Sequence, residues 1–309
     1  MSLSMTASPD SASDPLQPAP APATRPLYWS IRRELWENRL VYIAPLIITA
    51  CVLAGVLFKL LGLPDRMAAA GALDRVAQHL TVIRPFHLAP APIMLATFVI
   101  GMFYAADALS GERRDRSLLF WKSLPVSDAT AVISKAAVPL VVLPLIALVL
   151  SIVTVTVLLL AASLVLAGSG VSPWRLWSEV ALLELPVIMT YGLAVHALWL
   201  APVYAWLMFV SAWARRMPIL WATLPLFAIA ALERVGFGST IFLAFIGGRF
   251  TGAMSAGFAQ SRGQSELIEH VTQLEPLRFL TSPGMWGGLA AALLLLWAAM
   301  RLRRRHEPT

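Results

Sequence analysis

The chain has 309 residues, 58% hydrophobic and only 13% charged, with a formal charge of +7. Soluble domains carry about 25% charged residues, and several apolar runs here reach the roughly 20 residues that cross a bilayer as helix. The composition therefore excludes a soluble globular domain and predicts an all-α polytopic membrane protein, and the alternating segments of a membrane β-barrel are missing from the sequence. The basic excess lies beside apolar runs, where it orients helices and meets anionic membrane lipids rather than nucleic acid. Cys51, the one cysteine, falls inside an apolar run and leaves no intrachain disulfide or cysteine cluster.

Residues 1–26 are rich in Ala, Pro and Ser and read as a disordered tail without a cleavable signal pattern. Residues 27–40, with Tyr28, Trp29, Leu35 and Trp36 against Arg32, Arg33 and Arg39, predict an amphipathic interfacial helix with an aromatic side and a charged side. A six-helix transmembrane region then fills 41–305, followed by a short tail at 306–309. Its first two spans are predicted at Val41 to Leu61 and Ala89 to Ala108, with a modest loop at 62–88. The third span is an apolar run from Ala136 to Ala167, in which Pro139 and Pro144 bend the beginning rather than end the helix. The fourth lies within Val180 to Trp213 and the fifth from Pro218 to about Val235. Residues 236–250 are apolar but short, and fit either a re-entrant segment or an extension of the fifth span. An outer loop is predicted at 251–283, and the sixth span at Met285 to Met300.

Between spans two and three the stretch 107–135 carries nine charges of both signs, which cannot rest unpaired in hydrocarbon. The chain leaves the membrane here. Within this excursion Leu118, Leu119, Phe120 and Trp121 form an apolar-aromatic patch closed by Leu124-Pro125, and Ser127 with Asp128 fits an N-cap and acidic first turn of the next helix. This pattern predicts a short amphipathic coupling helix that docks a partner protein; the plainer alternative is an anchored cytoplasmic loop. With both termini inside, fifteen of the 24 lysines and arginines fall in inner segments, as the positive-inside bias requires. A seventh crossing would place Arg301 to Arg305 outside.

The chain contains no GxxxxGK[ST], HExxH, CxxC or nucleotide-binding GxGxxG arrangement, so no catalytic, cofactor-binding or metal-ligating residue is assigned. Glu184 and His196, within the fourth apolar stretch, are candidate translocation-path residues; for His196 a structural hydrogen bond between helices is the competing role. Glu233-Arg234 fits an interfacial anchor or a locally paired gate. Gly247-Gly248 and Gly252 fit close helix approach, a re-entrant turn or a flexible loop.

The central block resembles the ABC-2 type permeases, the membrane subunits of ATP-binding cassette transporters. The likeness rests on Glu112-Arg113, the apolar Leu118-Leu119, the turn Leu124-Pro125-Val126-Ser127 and Lys135, together with the interfacial helix from Tyr28 to Leu40. The resemblance implies a bacterial inner-membrane protein with cytoplasmic termini, paired with a second permease subunit in a two-plus-two complex, homodimeric by default. It also implies separate ATPase subunits that hold ATP and Mg and dock on the coupling segment. Arg113, Arg114, Asp115 and Arg116 would make the polar contacts of that surface. Leu118, Phe120 and Trp121 would bury against the ATPase, and Pro125 would redirect the chain. A large extracellular domain, found in bigger family members, is missing here, and the substrate is left open. The alternatives from other classes are a membrane scaffold or assembly protein, and a secondary transporter.

Overall fold

The computed structural model describes residues 26–70, 74–111, 127–180, 183–214, 216–259, 268 and 270–305. All regular structure among them is helical, apart from an isolated antiparallel bridge between Phe258 and Leu274. Among the described residues, six helices are long and apolar enough to cross a membrane. The architecture is polytopic and membrane-spanning, as the composition predicts.

Helix α1 covers Pro26–Glu37 and α2, the first span, Leu40–Leu60. A short helix α3, Leu63–Ala70, leads to the second span, α4, His79–Asp107. Most of the stretch predicted as a loop at 62–88 is therefore helical. Its apolar residues Leu63, Ile83 and Phe86 are buried against Leu158, Leu159 and Leu166, which compensates the exposed Asp65 and Asp74 that made the stretch look like a loop.

The third span, α5, is a continuous helix over Asp128–Gly168. Its 41 residues measure about 60 Å, twice the hydrocarbon thickness, so one end projects from the membrane. The helix passes through both prolines. Pro139 has no N–H to offer, and the winding widens to a π-helix over Val138–Val142 before returning to α at Leu143. Helix α6, Trp174–Glu179, is fastened back to α5 by the indole of Trp177, which donates to Ser163 Oγ at 2.8 Å. The fourth span, α7, is Leu185–Trp213.

Helix α8, Pro218–Phe237, stops where Gly238 takes the left-handed conformation, φ +67°. Glu233 bridges the break. One carboxylate oxygen accepts from Ser239 Oγ at 2.6 Å and from the amide of Ile241 at 2.8 Å, and the other accepts from the amide of Phe242 at 2.9 Å. This carboxylate serves the free amides that begin helix α9, Ile241–Gly257. Arg234 turns instead to the carbonyl of Gly238 at 3.1 Å. Of the two roles that Glu233-Arg234 fits in the sequence, the locally paired gate is not what the side chains make: each takes its own partners across the break.

Helix α9 extends seven residues past 250, so the predicted outer loop 251–283 begins as helix. It runs antiparallel to α7: Gly248 and Gly252 meet Trp199, and Gly257 meets Val195 and Tyr191. The chain closes with α10, Pro276–Leu280, and the sixth span α11, Pro283–Arg305. Helix α7 has its longest interface with α11, where Ala201, Ala205 and Ala292 let the backbones approach. Arg249 locks these three helices together. Its guanidinium lies 5.0 Å from the Trp199 ring and donates to the carbonyl of Gly284 at 2.9 Å, while Trp199 Nε1 donates to the carbonyl of Gly248 at 3.1 Å.

Of the glycines singled out in the sequence, Gly252 is the one that close approach requires. A Cβ there would stand 2.9 Å from the Trp199 ring, whereas Gly247 and Gly248 face open space on their Cβ side. Gly252→Val will therefore lower the thermal unfolding midpoint in detergent by an amount corresponding to about 1–3 kcal/mol. Gly247→Ala will leave it unchanged or slightly raised, since alanine favours helix.

Candidate functional site

The predicted coupling residues Arg113, Arg114, Asp115, Arg116, Leu118, Phe120, Trp121 and Pro125 lie outside the described residues, as do Glu112 and Lys122. The described residues hold the two roots of that segment, at Gly111 and Ser127, and the groups that fix them.

The first root follows the end of α4. Leu109 and Ser110 both donate their backbone N–H to Ser211 Oγ, each at 3.0 Å. Ser211 is fully buried on α7, so one hydroxyl satisfies two backbone amides of the turn that follows α4. The hydroxyl of Ser110 turns back to Asp107 Oδ1 at 3.0 Å. The second root begins α5. Ser127 is extended, φ −67° and ψ 149°, and its hydroxyl accepts from the amide of Thr130 at 3.1 Å, which is the N-cap the sequence predicts. The next residue, Asp128, accepts from Arg303 Nε at 2.9 Å. That bond ties the beginning of the third span to the end of the sixth.

Two turns further along α5 the chain carries Lys135, 3% exposed, beside Glu34 of α1, 0% exposed. Lys135 Nζ stands 2.9 Å from both carboxylate oxygens of Glu34. Arg33 Nη2 adds a bond of 2.7 Å to Oε1, and the Tyr104 hydroxyl of α4 donates to Oε2 at 2.8 Å. Burial alone would push the Glu34 carboxyl upward. The Lys135 ammonium, with hydrogen bonds from Lys135, Arg33 and Tyr104, overrides that and holds it below its ordinary value of 4.5. Three elements thus meet on one carboxylate: the amino-terminal helix, the exit of the second span and the start of the third.

Helix α1 achieves this by presenting Ser30 and Glu34, four residues apart, to the bundle. Its rings face away: Tyr28, Trp29 and Trp36 are exposed, and Arg32 sits between the two indoles, 5.4 Å from Trp29 and 4.8 Å from Trp36. The aromatic side expected from the sequence is present. The charged side, however, is split between an outward Arg32 and an inward Glu34.

The two candidate path residues are not brought together. Glu184 and His196 are twelve residues apart on one helix line, about 18 Å in rise. Glu184 is half-buried and accepts from the amide of Val271 at 2.9 Å, with His270 Nδ1 3.7 Å away, so it fastens the segment that precedes α10. His196 Nδ1 pairs at 2.8 Å with the carbonyl of Gly192, one turn back in its own helix. The interhelical bond expected for it is replaced by this local one. His196 also lines a cleft of about 60 Å³ with Phe98, Pro139, Leu143 and Tyr204, far below the roughly 300 Å³ at which ligand pockets begin.

Among the described residues there is no group of three or more His, Cys, Asp or Glu that could hold a metal ion. No family model, no curated protein and no solved structure matches the chain.

Glu34, Tyr104, Ser211 and Arg303 are the residues that reading the sequence did not single out. A signal existed for the first: Glu34 is an acid on a basic aromatic helix, and Lys135 is the last charge before the longest apolar run. Ser211 and Tyr104 carry no such mark, because one hydroxyl in an apolar helix resembles any other.

Removing one partner of a buried ion pair costs about 3–5 kcal/mol, because the other charge is stranded. Glu34→Ala will destabilise the chain by that order in thermal or denaturant unfolding in detergent, and Glu34→Leu combined with Lys135→Met will recover most of the loss. The pH dependence follows from the lowered pKa. Glu34 contributes its full stability above its ordinary value of 4.5, and this contribution is lost as pH falls through the lower folded value. Unfolding midpoints of wild type and the double variant will differ by a constant amount from pH 5 to 8, and in stronger acid wild type alone will fall relative to the double variant.

Proposed function

We propose that the chain is the permease subunit of an ATP-driven transporter of the ABC-2 type. In this reading it forms half of the translocation path and takes its driving force from a separate ATPase that holds ATP and Mg. A second permease subunit, by default another copy, completes a two-plus-two complex in a bacterial inner membrane. Both chain termini and residues 107–135 lie on the cytoplasmic side, and the direction is export of a substrate not specified here.

The observation that carries the reading is the way residues 112–126 are rooted. One root is capped by Ser211 of α7. The other is held by Arg303 of α11, and the same helix is gripped two turns later by Glu34 of α1. A passive loop needs no buried ion pair at its base, since such a pair is costly to desolvate. A segment that receives a push does: stiff bonds at both roots carry its displacement into the second, third, fourth and sixth spans instead of dissipating it locally. Rigid elements linked in this manner are what coupling between distant sites requires.

Further support comes from the shared side. Helix α1, the exit of α4, the start of α5 and the end of α11 all meet at one end of the bundle. Six crossings with both termini beside the coupling segment is the arrangement that the lysine and arginine bias favours.

The test is ATPase activity and substrate flux of the complex purified from native membrane. Trp121→Ala and Arg114→Glu will each lower flux per ATP hydrolysed, or release the ATPase, by about tenfold or more, as expected for truncating a buried anchor or reversing a charge at an interface. Lys135→Met paired with Glu34→Leu will leave the ATPase bound. An unchanged coupling ratio in both docking variants overturns the reading. Copurification of a partner without nucleotide-binding activity points to a scaffold instead.

A further inference from the structure

At the end of the bundle opposite Glu34 the first two spans part. Lys59 lies eighteen residues beyond Val41 on α2, about 27 Å along the helix axis. Between α2, α3 and α4 is a groove of about 500 Å³, within the 300–1,000 Å³ typical of ligand sites. Its floor is apolar, formed by Val56, Phe86 and Ala89 among others, and its rim is basic, formed by Lys59 and Arg66. Among the described residues no carboxylate lines it.

Three further features give the groove the character of a site rather than a gap. The Lys59 ammonium has no hydrogen-bond or ion-pair partner among the described residues, although it stands at the end of an apolar helix. Arg66 is held in place, donating to the carbonyls of Gly62 and Lys59, so its charge is fixed beside the lysine. Gly55 lies one turn before Lys59 on the same face, and a Cβ built there would meet nothing within 4 Å. The groove is therefore open along α2 from Cys51 through Gly55 to Lys59, about 12 Å of helix.

We propose that this groove holds one anionic phospholipid, its phosphate against Lys59 and Arg66 and an acyl chain lying over Gly55 on Val56, Phe86 and Ala89. Only a lipid combines the two required chemistries, an anion and an apolar chain, and lipid is the solvent that surrounds the spans. A polar solute would leave the floor unsatisfied, and a neutral lipid would leave Lys59 without its counter-charge. The site is separate from the coupling segment and does not rest on the transport reading.

Native mass spectrometry of the full chain in detergent, titrated with phosphatidylglycerol or with phosphatidylethanolamine of the same chains, tests this. Wild type will retain one phosphatidylglycerol, bound roughly fivefold more tightly than phosphatidylethanolamine, as one lysine near an anionic headgroup provides. Lys59→Gln, at an exposed position, will keep the fold and erase the preference. Gly55→Trp fills the open space and will abolish retention of either lipid. Glycerol phosphate at the same concentration will not displace the bound lipid. Because Cys51 is the only cysteine and lines the groove, its alkylation by N-ethylmaleimide gives a second readout: phosphatidylglycerol will slow it in wild type and not in Lys59→Gln. Equal retention of both lipids by wild type overturns the proposal, as does an adduct that survives Gly55→Trp, or displacement by glycerol phosphate alone.

Discussion

A carboxylate buried without solvent has to be answered by its neighbours, and in this chain Glu34 is answered by three of them. Lys135, Arg33 and Tyr104 all reach it within 2.9 Å. The pair of charges is costly to bury, so its net contribution to stability is modest; what it imposes is geometry. With Glu34 fixed, α1 cannot slide along the bundle surface, α5 cannot rotate at its start, and Tyr104 holds α4 in register with both. The salt bridge of Arg303 to Asp128 extends the same constraint to the last span. The described residues at the two roots of 112–126 are oriented by these few polar contacts, while the remainder of the interfaces is largely apolar.

The apolar part follows a different physics. Lipid replaces water around the spans, so large hydrophobic side chains such as Phe58, Leu164 and Leu232 point outward, and helix association depends on close packing rather than on hiding apolar area. This explains why small residues sit where helices touch: Ala201, Ala205 and Ala292 between α7 and α11, and Gly252 under Trp199. It also explains the capping by Glu233. A helix break leaves the first amides of the following helix without helical partners, and the chain supplies a carboxylate from the previous helix.

The two ends of the bundle are built for different tasks. At one end buried ion pairs draw four elements together around the roots of 112–126. At the other, α2 and α4 diverge and leave a groove with a basic rim and apolar floor.

The sequence by itself determined the class of protein, the count of six long apolar helices among the described residues and the N-cap at Ser127, because these depend on local properties: run length, hydropathy and turn chemistry; the second and third helices begin at His79 and Asp128, ten and eight residues before the predicted starts. It also marked 107–135 as the place where the chain leaves the membrane, since nine charges cannot be hidden in hydrocarbon. It misread 62–88 as a loop, because isolated charges masked a helix whose other face is buried against α5. It left Glu233-Arg234 as an interfacial anchor or a locally paired gate, and carried no sign of the helix break that gives each residue its own partners. Only the tertiary structure decided that Glu34 meets Lys135, a hundred and one positions away, that Ser211 accepts from the amides of the turn after α4, and that His196 bonds within its own helix. Contacts of that kind depend on how separate helices are placed side by side, and hydrophobic periodicity along one chain carries no record of which neighbour a polar side chain will meet.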